Sequence, residues 1–455
     1  MGQGIRSTVA RLARLGGLIA IIGASLVAVA GPVAAADFTV TNGNDSGPGS
    51  LRQAFADATA NPGDDRVIVD PSVSTITLMT GAVVHNPADN AKLEVQGNGV
   101  TIQQTTLDAS VISHFSSGAL TVDNATVAGG NGINAAGILT APGSLVLTNS
   151  TIRNNTGTGF GAGGISASGG FAITNSTIHD NTGGAGSGGP SSIMGSTIRN
   201  NSAIVASAGA AVGGASTSST LNVANSTISD NSATATGSGF AFGGLLAGST
   251  LTVTDTAVGG NTAISAGSRA VGGFVTNGTA TVSGSSISGN SATGTNATGG
   301  GGAVGSHTIT DSTFDGNTAT GSSSATGGVG GSPVTFTNSL ASANSAISAG
   351  AGAAFGGVSS PAVNATNSTV RDNSASAAGS GPAIGGALAF STTLTATDST
   401  VSGNTASSAG GLSVGGARGD RHRDPYDVNG VRQLARRSRY IQRRVGDEFD
   451  DHDEH

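Results

Sequence analysis

Between residues 120 and 417 few side chains could do acid–base or ionic chemistry: eight Asp, four Arg (Arg153, Arg199, Arg269, Arg371) and two His (His179, His307), with no Glu and no Lys. Glycoside hydrolysis needs two positioned carboxylates. Lyase chemistry needs a general base with cations that stabilise a carbanion. The aspartates mostly sit at positions of a repeated phrase, as Asp255, Asp311 and Asp398 do. Isolated Asp residues at such positions read as turn formers. Arg153, His179, Arg199 and Arg371 share another place in the phrase, with Ser229 and Ser402 elsewhere, which predicts one sparse outward column. The segment also lacks Trp and Tyr, the aromatic platforms on which sugars stack. The sequence therefore assigns no catalytic residue, cofactor or metal ligand.

The phrase that carries these residues is Asn/Asp-Ser-Thr-apolar-x-x-Asn, seen in NSTIRNN, NSTISDN, DTAVGGN, DSTFDGN and NSTVRDN among ten copies. Its closing residues are Asn155, Asn181, Asn201, Asn231, Asn261, Asn290, Asn317, Asn344, Asn373 and Asn404. They are spaced 26, 20, 30, 30, 29, 27, 27, 29 and 31 apart. Each phrase follows an alternating stretch, such as Leu221 and Val223 between Asn222 and Ala224, and period two means strand. Gly, Ser, Thr and Asn dominate, all poor in helix interiors. Such a strand cannot bury its apolar side alone. Coils stacked at roughly 4.8 Å make a continuous core, and ten would rise about 50 Å. The reading is all-β: a right-handed parallel β-helix with an N-terminal helical cap.

Two further expectations come from the same phrase. The closing Asn tolerates a left-handed turn, and its amide can bond the equivalent Asn one coil away, so the spacing predicts an Asn ladder. The Gly/Ala arcs, such as 208–214 and 350–357, should bring backbones close on a thin, more mobile side. The NST triplets match glycosylation sequons, but here they are the repeat's own turn.

Residues 37–118 are less repetitive and form the cap and first coils, with 119–417 as the repeats. SLRQAFADATA reads as a short helix: Ser50 and Gln53 make a capping box, and Leu51, Phe55 and Ala58 share a face. An amphipathic helix covers the solenoid's first open edge, and Arg52 belongs to that cap rather than to a catalytic site. Residues 1–36 read as a secretory signal peptide: Arg6, Arg11 and Arg14 precede the apolar run from Leu15 to Val29. Ala34 and Ala36 mark the cleavage site, placing the mature start at Asp37. No other segment could span a membrane. The chain has no Cys, so its stability as an exported protein must come from stacking.

The segment DFTVTNGNDSGPGSLRQAFADAT, followed by DDRVIVD and LEVQGNGVTI, resembles the N-terminal region of bacterial secreted β-helix proteins with a CSLREA-type motif. SLRQA stands in that motif's place without its leading Cys. The downstream NSTISDNSA-type phrases are similar to right-handed parallel β-helix repeats, including those of polymorphic outer-membrane-protein-like chains. The resemblance covers residues 37–417 and implies the fold and export.

Composition changes abruptly at Arg418: residues 120–417 hold 12 charged residues, and the last 38 hold 18. Back-translated with GC-rich codons and read one base on, RHRDPYDVNGVRQLARRSRY yields VTVTRTTSTASANSHAGAG. That string matches VTFTNSLASANSAISAGAG at 334–352. We read 418–455 as the product of a shifted frame, which turns the tripeptide at Arg418 and the metal-ligand-like run DEFDDHDEH into accidents. The remaining body, 37–417, carries seven bases against 17 acids, which excludes nucleic acid and anionic lipid as main partners. The functional expectation is a secreted or cell-surface structural and adhesive solenoid, not an enzyme. Its partners would be extracellular carbohydrate or cell-surface components, with end-to-end self-association through an open edge. The alternative is a degenerate carbohydrate-active enzyme of the polysaccharide lyase or glycoside hydrolase type.

Overall fold

The computed structural model describes residues 35–132, 136–157, 163–389, 394–419 and 432–434. The signal-peptide reading and most of the charged tail fall outside them. Within them the chain is a right-handed parallel β-solenoid of about 13 turns with one helix. Among the described residues no helix is long and apolar enough to cross a membrane.

The register shows why the repeat folds this way. Leu221 lies opposite Leu251 and Val223 opposite Val253, while Ile228 lies opposite Val258. Each apolar position therefore stacks on its equivalent one coil on, and Leu, Val, Ile and Phe columns fill the interior. The strands lie in three sheets of 26, 13 and 14 strands. The long sheet takes two strands from each repeat, such as Leu221–Ala224 and Thr227–Ser229. The second takes one, such as Ala215–Thr217. The third starts at Ser202, with Ser202–Val205 and Ala211–Val212 as its first strands.

That third sheet explains the uneven spacing. Between Asn181 and Asn201 only Thr182 separates the ladder residue from the Gly183–Gly184 turn. The next coils insert a segment between the ladder Asn and the glycine pair, and that segment makes the third sheet. Its interior is almost entirely alanine, including Ala203, Ala211, Ala233, Ala241, Ala263 and Ala270. The Gly/Ala arc is thus thin and regularly paired, as Ala233 opposite Ala263 shows. At the glycine pairs, a Cβ on Gly244 would collide with the carbonyl oxygen of Gly273 one coil on, so backbone fills the corner.

The Asn ladder is present. Asn231 Nδ2 donates to Asn261 Oδ1 at 2.9 Å, and the Asn231 backbone N–H donates to the same oxygen at 3.1 Å. The pattern runs from Asn155 to Asn404. One part of the sequence reading needs correction. The left-handed residue is the one before the ladder Asn, as at Asn154 (φ 54°), Asp180 (56°), Asp230 (56°) and Gly260 (65°). The ladder Asn residues are not left-handed, and the preceding residue takes the turn.

The helix Leu51–Ala60 buries Leu51, Ala54, Phe55 and Ala58 against the first coils. Ser50 caps it by accepting from the Gln53 N–H at 3.2 Å. The reciprocal half of the capping box does not form. Gln53 Nε2 donates to Asp57 Oδ1 at 2.7 Å, because the Ser50 N–H already serves the Gly47 carbonyl. At the other end, strand pairing passes the composition boundary: Arg418 lies opposite Leu388, and Gln433 lies opposite Val401.

Candidate functional site

The solenoid offers outward columns rather than a pocket of converging groups. Arg153, His179, Arg199, Ser229, Gly259, Ser288, Asp315, Ser342, Arg371 and Ser402 pair in succession, so the column expected from the sequence exists. Two of its basic residues sit beside the following aspartate. His179 Nδ1 lies 2.6 Å from Asp180 Oδ2, and Arg371 Nη1 lies 2.7 Å from Asp372 Oδ2. Asp255, Asp311 and Asp398 occupy left-handed corners with φ of 47°, 51° and 49°, which is the turn role read from the phrase.

On the neighbouring strand two other columns run side by side. Thr252 and Thr254 lie opposite Thr281 and Ser283, then Thr308 and Thr310, Thr335 and Thr337, Asn364 and Thr366, and Thr395 and Thr397. All twelve are exposed or half-buried. Their neighbours on the strand, such as Val253 and Ile309, point into the core, because strand side chains alternate. β-Branched Thr is stiff at χ1, so the hydroxyls and methyls form a fixed grid. Sequence reading missed it; the signal was the alternation LTVT, ATVS, HTIT, VTFT.

A cleft of about 340 Å³ lies where the short coils meet the first coil of the alanine sheet. Ser166, Ser168, Thr182, Ser187, Ile204 and Ser216 are among its lining residues. It provides hydroxyls and apolar edges.

Residues 110–272 match the family described as right handed beta helix region. No curated protein and no solved structure matches the chain significantly. The match begins after the cap and the first coils, takes in the cleft, and accords with the parallel register.

Among the described residues, three buried imidazoles stand apart from these columns. His307 takes a place in a core column, opposite Ala280 and Val334, with its ring 5.8 Å from that of Phe274. Burial pushes the imidazole down to about 4, offset in part by the backbone of Gly330. His307 thus holds a core position. His85 and His114, which sequence reading passed over, are fully buried and stacked with centroids 4.9 Å apart. Arg52 lies in the cap as expected: Nη2 meets Asp45 Oδ1 at 2.8 Å, and Nη1 donates to the Ala82 carbonyl at 2.7 Å.

Proposed function

We propose that this β-helix is a structural and adhesive protein of the bacterial cell exterior. It would be secreted or surface-displayed and would hold extracellular carbohydrate or surface components through many weak hydrogen bonds. The observation that supports this reading is the double column from Thr252 and Thr254 to Thr395 and Thr397. Its rows repeat at roughly 4.8 Å along the solenoid, and the two positions within a row lie about 6.6 Å apart. A grid of neutral donors and acceptors matches repeating polyol surfaces better than it matches charged polymers. Each contact is weak, and affinity accumulates along the rows by multivalency.

The test is co-sedimentation of the purified chain with insoluble polysaccharides and with intact bacterial cells. A quadruple variant, Thr308→Val, Thr310→Val, Thr335→Val and Thr337→Val, keeps β-branching and removes four hydroxyls. The reading expects binding to at least one solid and a drop of about tenfold or more in the variant, given about 1 kcal/mol per hydrogen bond. No binding by the parent chain, or equal binding by both, sinks it.

A further inference from the structure

The first described strand is tied down one residue ahead of the start expected from the sequence. The Ala36 N–H donates to Asp65 Oδ1 at 3.0 Å, and the Ala36 carbonyl accepts from the Arg66 N–H at 2.8 Å. Ala36 is therefore the first rung of the parallel pairing that continues with Asp37 opposite Arg66.

Asp65 is an unusual partner for an amide. It is 4% exposed, and its Oδ1 also accepts from Asn61 Nδ2 at 2.7 Å, while its buried Oδ2 has no hydrogen-bond partner. The charged groups around it are mostly of its own sign. Asp64 and Asp89 act on it unfavourably, and Lys92 is turned to Asp64, with Nζ 3.5 Å from Oδ2. Burial and these two carboxylates raise its pKa. An amide brings one proton and no charge to this site. An ammonium on the same nitrogen brings three protons and the missing positive charge, enough to serve both carboxylate oxygens.

We infer that the exported chain is cut between Ala35 and Ala36 and that the new Ala36 ammonium completes a buried ion pair with Asp65. The proposal rests on the export reading above and alters its cleavage point. Water adds across the Ala35–Ala36 peptide bond, leaving a carboxylate on Ala35 and the ammonium on Ala36. Val33 and Ala35 then stand at the two small-residue positions before the cut. A cut after Ala36 would discard both Ala36 hydrogen bonds and leave Asp65 with Asn61 alone. Cleavage thus finishes the cap, and the mature chain is more stable than its precursor.

The deciding experiment is the intact mass and N-terminal sequence of the protein recovered from the exterior of its expressing cell. A start at Ala36 supports the inference. A start at Asp37 overturns it and leaves export standing, whereas an uncut chain retained inside the cell overturns both. A second measurement isolates the ion pair. Chains that begin at Ala36 are melted near neutral pH with a free or an acetylated N-terminus, each with Asp65 or Asp65→Asn. Acetylation should lower the melting temperature by several degrees with Asp65 and leave it unchanged with Asp65→Asn. Equal melting of the free and acetylated Asp65 chains overturns the ion pair.

Discussion

His85 Nδ1 lies 2.9 Å from His114 Nδ1 one coil on, and both rings are fully buried. The pair fixes its own tautomers. His114 Nε2 meets the Gly118 carbonyl at 3.0 Å, so that nitrogen carries hydrogen and its Nδ1 is bare. His85 Nδ1 must then donate, and a second proton on His114 Nδ1 would meet the hydrogen on His85 Nδ1. Burial, followed by the repulsion of His114, holds His85 down to about 4, and burial lowers His114 as well.

The consequence is acid sensitivity near neutral pH. The folded-state values lie below the ordinary 6.5, so the unfolded chain binds more protons between the two limits. Stability is full above about pH 6.5 and declines as pH falls toward 4. His85 and His307 should each contribute about 3 kcal/mol to that loss. Denaturant melts at pH 7.5, 5.5 and 4.5 measure it. His307→Leu, which cannot protonate, should flatten the slope by about one proton, and an unchanged slope contradicts this account.

The ladder should be most sensitive at its centre. Asn261 accepts the N–H and the amide of Asn231, and donates to the Ile228 carbonyl and to Asn290 Oδ1. Asn261→Ala removes four bonds in a fully buried column, at a cost of about 4 kcal/mol. Asn404 is only partly buried, so Asn404→Ala should cost about half as much or less. Urea midpoints of the two variants give the comparison, and equal losses would mean the rungs do not depend on their neighbours.

The repeat made the fold legible because the strands, columns and ladder follow from positions such as Leu221, Ile228 and Asn231 that recur at each period. Less visible were groups whose role depends on what stacks above them. Ser226 caps the corner after Asn225 by accepting from the Ser196 N–H at 3.1 Å and donating to the Ala224 carbonyl at 2.7 Å. The second residue of the phrase, Ser in nine copies and Thr256 in the other, marks that column, but nothing in one copy says that it bonds to the next coil. His85 and His114 lie 29 residues apart in the less repetitive region, where no phrase sets a register. Ala36 and Asp65 likewise meet only because one strand pairs with the next.

The column of left-handed corners contains one poorly suited residue. Ala343 has φ of 52°, where the equivalent places hold Asn154, Asp180, Asn200, Asp230 and several Gly. An L-residue with a Cβ and no side-chain hydrogen bond is strained there. Ala343→Gly should raise stability by up to about 1 kcal/mol. Gly316, with φ of 62° and open space where a Cβ would stand, should accept Asn at little cost. Thermal melts of both variants test this, and a lower midpoint for Ala343→Gly contradicts it.

The N-terminal cap hangs on Arg52. Its guanidinium donates to the Asp45 carboxylate and carbonyl and to the carbonyls of Gly81 and Ala82, while Asp45 also accepts from the Met79 N–H and the Thr80 hydroxyl. Burial alone would raise the Asp45 pKa, but Arg52, Thr80 and Met79 together hold it below its ordinary value. Arg52→Met keeps the aliphatic stem and strands a mostly buried carboxylate, so it should cost about 3 kcal/mol. Because solenoid coils couple mainly to their neighbours, the loss should be local. Hydrogen exchange should accelerate first in Leu51–Ala60 and Asp65–Val69, with Leu251–Thr254 little changed. Uniform acceleration along the chain would instead mean that the cap and the coils open as one unit.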